Sequence, residues 1–388
     1  MALFKNKPRC SSQSSVPNQT TNRPQLVESF YNTVKVGIQL EESNQHSQAT
    51  QHYRTALNLA KQILSIDGEW DSDRPLDKFK SIVTECQFRL KFLSMPKNLQ
   101  TIAKTSMVYP SNDFAFDQIA GLSSAKQALY ESVILPMKNP SLFTGLRTQT
   151  KGVLLFGPPG TGKTFLARVL ASECMASFFA ISASSITNKF FGESESKLRD
   201  LFSTARHFSP SVIFFDEIDA LLMSRDADSS ETTRRIKTEL FVQLDGIVED
   251  SDNPVFIAST NCPWVLDEAI IRRFTKRIYI PLPDKQCRLE LVSKLLEKHR
   301  NSLSKRQISF IANHTETFSG ADIKILCQEA SMVAIRELSK DDIQNIKPED
   351  VREITLSDFK IALNSVRPTV NCENLVRFDQ WNQKFGNQ

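Results

Sequence analysis

The sequence predicts an α/β domain built on five parallel strands, followed by a small helical domain and preceded by a three-helix bundle. Three observations carry this prediction. Between residues 113 and 285, five short and nearly continuous apolar runs alternate with helical patterns, as parallel strands covered on both faces require. From about Gln286 the strand-like runs stop, and segments such as "RLELVSKLLEKH" and "ADIKILCQEASMVAIREL" repeat at helical spacing. Between about Gln25 and Leu93 the periodicity is helical throughout.

Taken in order, residues 1–23 are mainly Ser, Gln, Asn, Thr and Pro and are expected to be a disordered basic tail. The first 25 residues hold Lys5, Lys7, Arg9 and Arg23 and no acid, so the net charge of +4 originates there. This composition resembles a transit peptide, but the apolar face of such a helix is missing. The rest of the chain balances 44 basic against 44 acidic residues and does not read as a nucleic-acid binder.

Residues 24–95 carry three apolar stripes: Val27, Tyr31, Val34, Ile38; then Ala49, Tyr53, Ala56, Ala60, Ile63; then Phe79, Val83, Cys86, Leu90, Leu93. They predict a small antiparallel bundle, with "DGEWDSDRP" as its second break. Residues 96–112, "PKNLQTIAKTSMVYPSN", read as a linker. The large α/β subdomain is expected over 113–285, with strands at "GVLLFG", "SFFAIS", "SVIFFDE", "PVFIAST" and "RIYIPLP". The helical subdomain is expected over 286–388.

Composition sets limits on function. With 40% hydrophobic and 24% charged residues the chain is of globular type. No apolar run approaches the roughly 18 residues of a transmembrane helix. The seven cysteines are scattered singly, without metal-ligand spacing, which predicts reduced thiols and a cytoplasmic or nuclear setting.

The chemistry starts at Gly157-Pro158-Pro159-Gly160-Thr161-Gly162-Lys163-Thr164, a G-x-x-x-x-G-K-[ST] loop between a strand and a helix that continues with Phe165. Backbone N–H groups of such a loop, with the helix N-terminus, face phosphate oxygens. Lys163 is then expected on the β and γ phosphates, and Thr164 on Mg²⁺. Asp216 and Glu217 end an apolar strand, which suits Asp216 to the magnesium shell and Glu217 to polarising a water. Asn261 ends the next strand, within reach of the γ-phosphate or the water. Arg272 and Arg273, read after this series, are expected to reach the γ-phosphate of a neighbouring subunit. A further segment, "TNKFFGESESK", sets Phe190 and Phe191 between a strand and a charged helix, either as core residues or as a loop that touches another molecule.

The phosphate loop, "FFDEID", "ASTN", "RRF" and "FSGADI", in this order, resemble the AAA family of ring ATPases over residues 113–388. "FDQIAGLSSAKQAL", "RRIKTEL" and "LDEAIIRRFTKRIY" look most like its spastin branch, in the microtubule-severing and ESCRT-disassembling clade, and "FDQWNQKFGN" resembles the closing helix of that clade. The resemblance implies an ATP- and Mg²⁺-dependent homo-hexamer. It implies adenine contacts from Ile119, within Asp117–Gly121, and from Gly320 and Ala321. It also implies pore loops carrying Lys189, Phe190 and Phe191, and Arg234 and Arg235.

The implied clients are acidic tubulin tails, with ESCRT-III-type filaments as the alternative, in a cytoplasmic, cytoskeleton-associated or nuclear setting. The N-terminal bundle is similar to a microtubule-interacting and trafficking (MIT) domain, which would leave an adaptor scaffold as a third reading. The segment from Leu338 to Ser357 is too short for the β insertion of the ESCRT-type enzymes. In contrast, "RPTVN" at 367–371 is closer to their ending, and residues 96–112 lack the long basic run of the severing enzymes.

Overall fold

The computed structural model describes residues 23–66, 70, 75–108, 115–147, 149–182, 194–222, 231–247, 254–297, 299–338 and 350–387. The chain divides into two compact units, Met1–Ser94 and Met95–Gln388.

In the first unit, α1 (Arg23–Glu42), α2 (His46–Leu64) and α3 (Leu76–Leu93) bury one face each. The buried seam of α1 is Val27, Phe30, Val34 and Gly37. It is turned slightly from the stripe expected from sequence, with Phe30 at 0% exposure and Tyr31 and Ile38 only packed against the core edge. Gly37 permits close approach of α1 and α2, since a Cβ there would lie 2.9 Å from the Tyr53 ring. Glu41 ties the three helices by accepting from the Tyr53 hydroxyl at 2.8 Å and from Arg89 at 2.9 Å.

In the second unit, residues 97–108 are not a linker. They form α4 (Lys97–Ser106) and a short strand, β1 (Met107–Val108). Leu99, Ile102 and Ala103 share one face of α4, with Ala103 buried, while Lys97, Thr101, Lys104 and Thr105 are exposed. Burial of that face is the physical reason for the difference. β1 pairs antiparallel with β3, setting Met107 opposite Phe179.

The remaining strands are β2 (Gly152–Phe156), β3 (Ser177–Ser182), β4 (Ser211–Asp216), β5 (Val255–Thr260) and β6 (Lys276–Tyr279). They are mutually parallel, and the sheet order is β1-β3-β4-β5-β2-β6. β2 and β5 are buried along their whole length, which accounts for their unbroken apolar runs. The helices that follow in this subdomain are α5 (Ser123–Leu129), α6 (Leu135–Lys138), α7 (Lys163–Glu173), α8 (Ser194–His207), α9 (Asp219–Leu222), α10 (Glu231–Ile247) and α11 (Glu268–Arg273).

A helical lid follows from α12 (Lys285–Leu296), α13 (Lys305–Asn313), α14 (Gly320–Arg336) and α15 (Leu356–Ser365). Its own core gathers Val292, Leu296, Ile311, Leu326 and Phe359. The last helix, α16 (Cys372–Phe385), leaves the lid and returns to the sheet, so 286–388 is not one helical body. Its aromatic stripe at 378, 381 and 385 explains this: Trp381 meets Phe156 of β2 edge-on at 4.5 Å, and Phe378 meets Trp264 at 4.9 Å. Asn387 then hydrogen-bonds the backbone of Arg277 on β6 in both directions.

Candidate functional site

All the groups of interest leave the carboxyl ends of parallel strands, where open α/β sheets place their ligand crevices. The glycine loop follows β2, Asp216 ends β4 with Glu217 just beyond it, and Asn261 follows β5. The order β4-β5-β2 sets these three ends side by side. They open on a cleft of 670 Å³ between the sheet and the lid.

Ile119, Pro159, Gly160, Thr161, Gly162, Lys163, Thr164, Phe165, Asp216, Glu217, Asn261, Gly320 and Ala321 all line the cleft. Gly157 and Pro158 stand behind it, where their carbonyls accept from the Lys163 ammonium at 2.9 and 2.8 Å. Burial leaves Lys163 7% exposed and pushes its pKa down to about 8, against the opposing pull of Asp216 and Asp219. A buried ammonium held by two neutral carbonyls has an unmet demand for negative charge.

Gly160 fixes the loop against the lid. Its φ of +75° suits glycine, and a Cβ there would stand 2.5 Å from the Ser319 hydroxyl. Its carbonyl accepts from the Ala321 N–H at 3.1 Å, joining the loop to the start of α14.

The acidic side is equally ordered. Thr164 donates to Asp216 Oδ2 at 2.7 Å. These hard oxygen ligands, a hydroxyl beside a carboxylate, suit Mg²⁺ rather than a softer ion. Asn261 Oδ1, an acceptor, is buried without a hydrogen-bond partner among the described residues, an orphan that a water donating from the cleft would satisfy. The oxygen ligands and the Lys163 ammonium fit a magnesium nucleotide, and the orphaned acceptor fits a water beside it. Beside them Thr260 donates to Asp219 at 2.7 Å and accepts from the Cys262 N–H at 3.0 Å.

Several contributors escape the motifs. Leu122, Pro281, Pro283, Cys287, Leu291, Leu295 and Lys324 complete the wall. Leu291 and Leu295, at i and i+4, are a helical pair whose spacing could have indicated it. The Cys287 thiol donates to the Ala120 carbonyl at 3.2 Å, and burial pushes its pKa up to about 11. Ser259, on β5, donates to Asp216 Oδ1.

The two arginines lie outside the cleft and differ from one another. Arg272 is exposed at the end of α11. Arg273 is engaged within its own chain, paired with both Asp245 oxygens at 2.7 Å and lying 4.6 Å from the Phe241 ring. Within the chain, one arginine is therefore exposed and the other tethered. Arg234 and Arg235 are exposed on α10, away from the cleft lining. Lys189, Phe190 and Phe191 fall outside the described residues.

Fold and site together define a P-loop nucleotide-binding α/β protein with a helical lid. The family model "ATPase family associated with various cellular activities (AAA)" matches residues 153–282, and the AAA+ lid domain matches residues 307–359. The AAA domain of FIGL-1, solved with ADP, is 46% identical with a TM-score of 0.70, over 76% of this chain and 98% of that one. The chain belongs to the AAA ATPase family.

Spastin of Naegleria gruberi is 48% identical over 70% of this chain and 52% of its own length. Fidgetin-like protein 1 of Caenorhabditis elegans is 47% identical over 75% of this chain and 49% of its own. A structure described as the basis for katanin self-assembly is 35% identical, with a TM-score of 0.65, over 75% of this chain and 98% of that one. The chain spans about half the length of the curated relatives it matches.

Proposed function

We propose that the protein is a Mg²⁺-dependent ATPase that works as a ring, most like spastin, and severs microtubules by pulling acidic tubulin tails through its centre. The observation that carries this reading is the convergence of Lys163, the Thr164–Asp216 pair, Glu217 and the orphaned Asn261 on one cleft. Kinship with spastin and fidgetin-like proteins supports the severing activity. The self-assembly of the related katanin supports a hexameric ring.

In this reading the loop N–H groups and Lys163 hold the triphosphate, and Thr164 and Asp216 hold the metal. Bound Mg²⁺ neutralises charge that develops on the phosphate oxygens. Glu217, exposed at the strand end, accepts the proton of the attacking water, and Asn261 orients that water or the γ-phosphate. Ile119, Gly320 and Ala321 hold the adenine side. Arg272 reaches the γ-phosphate bound by a neighbour, so hydrolysis requires assembly.

Lys189, Phe190 and Phe191 grip the client, and Arg234 and Arg235, exposed near the start of α10, supply a second client contact. The N-terminal bundle serves as an MIT-like docking module, and the setting is the cytoplasmic cytoskeleton. The test incubates the protein and ATP with stabilised fluorescent microtubules beside a Glu217→Gln control. Breaks that need Glu217 are expected. Intact filaments with sustained hydrolysis would refute severing and move the client to ESCRT-III-type filaments.

A further inference from the structure

The structure assigns a positioning role to Ser259: its hydroxyl locks the metal-side carboxylate of Asp216 and the backbone of Glu217 in working orientation. This rests on the ATPase reading above. Ser259 lies one strand away from both residues, on β5, and is 1% exposed. The residues before it on the strand, Val255 to Ala258, are apolar and buried, so a hydroxyl at this position needs partners of its own.

It finds them at the end of β4. The Ser259 hydroxyl donates to Asp216 Oδ1 and accepts from the Glu217 N–H at 3.3 Å. The Ser259 carbonyl accepts from the Ile218 N–H at 3.0 Å. One residue thereby pins three consecutive positions where the chain turns away from the sheet.

Two features give that pin a consequence for chemistry. Asp216 is held from both sides, Oδ1 by Ser259 and Oδ2 by Thr164, which fixes the plane of the carboxylate. Glu217 has a φ of +53°, a left-handed backbone that a non-glycine residue holds only when its surroundings impose it. Without the hydroxyl, Asp216 Oδ1 can rotate away, and the Glu217 N–H loses its acceptor. Metal binding and the aim of Glu217 then loosen together, while the loop that holds the triphosphate is untouched.

Ser259→Ala removes the hydroxyl with almost no change in volume, so the fold is retained. Two measurements test the inference. In steady-state hydrolysis at saturating Mg²⁺, kcat should fall about tenfold, the effect expected of one lost positioning hydrogen bond, with KM for ATP little changed. In binding of a fluorescent ATP analogue, the affinity gained by adding Mg²⁺ should shrink at least severalfold, while metal-free affinity and Tm stay at wild-type values.

A variant equal to wild type in kcat and in Mg²⁺-dependent affinity would overturn the role. Equal loss of metal-free binding and of Tm would also overturn it, as a merely structural contact. Failure of the ATPase reading is distinguishable, because wild-type protein would then hydrolyse ATP no faster than Glu217→Gln.

Discussion

Raising the pH from 7 to 9 should weaken ATP binding about tenfold, through Lys163. Its ammonium is buried and its pKa lies near 8, so the protonated fraction falls from about 0.9 to about 0.1 across that window. Of the two forms of Lys163 only the ammonium adds positive charge at the phosphates, so affinity follows that fraction. Bound phosphate favours the charged form, so binding above pH 8 should also take up a proton.

Free-protein stability moves in the opposite direction. The lysine pKa is 10.5 unperturbed and about 8 when folded, so the unfolded chain binds more protons between those values. The penalty for burying the charge is present below pH 8 and is relieved as pH rises toward 10.5. Titration calorimetry in two buffers of different ionisation enthalpy reads both affinity and proton uptake. Affinity that stays flat from pH 7 to 9, with no proton uptake, would refute the reasoning.

Other substitutions test separate parts of the molecule. Gly160→Ala should lose nucleotide binding by at least about tenfold, because its Cβ would meet Ser319 at a left-handed position; unchanged affinity for a fluorescent nucleotide would contradict this. Trp381→Ala should cost about 3–5 kcal/mol in urea unfolding of the ATPase unit, since it removes the aromatic that holds α16 to Phe156; a loss below about 1 kcal/mol would show that α16 is held by other contacts. Arg272→Ala should reduce hydrolysis about 10³-fold with ADP binding intact, as expected for an arginine acting in trans. Arg273→Ala should cost less than about 1 kcal/mol of stability, because the pair with Asp245 is half in solvent; chemical denaturation and ATPase assays of both arginine variants separate the two roles.

The nucleotide site was legible because its chemistry is tied to local sequence. A glycine loop must follow a strand and open a helix, and acids at strand ends must face it, so the sequence alone groups Lys163, Thr164, Asp216 and Asn261 at one end of the sheet. Ser259 was not legible, since a serine in a buried strand gives no sign of which neighbouring strand its hydroxyl faces; only the register of β4 and β5 does so. α4 and β1 were hidden because Leu99, Ile102 and Ala103 are a short stripe among Lys, Thr and Ser, and their burial depends on a partner far away in sequence. The return of α16 to β2 likewise depends on Trp381 finding Phe156, a contact no periodicity reveals.

The central claim, an ATPase that completes its site by assembling, is tested most directly by the rate of ATP hydrolysis per protomer as protein concentration rises, with Glu217→Gln alongside. The account predicts a specific rate that climbs steeply with concentration and a silent Glu217→Gln protein that still binds ATP. A specific rate independent of concentration, or hydrolysis that survives in Glu217→Gln, would contradict it.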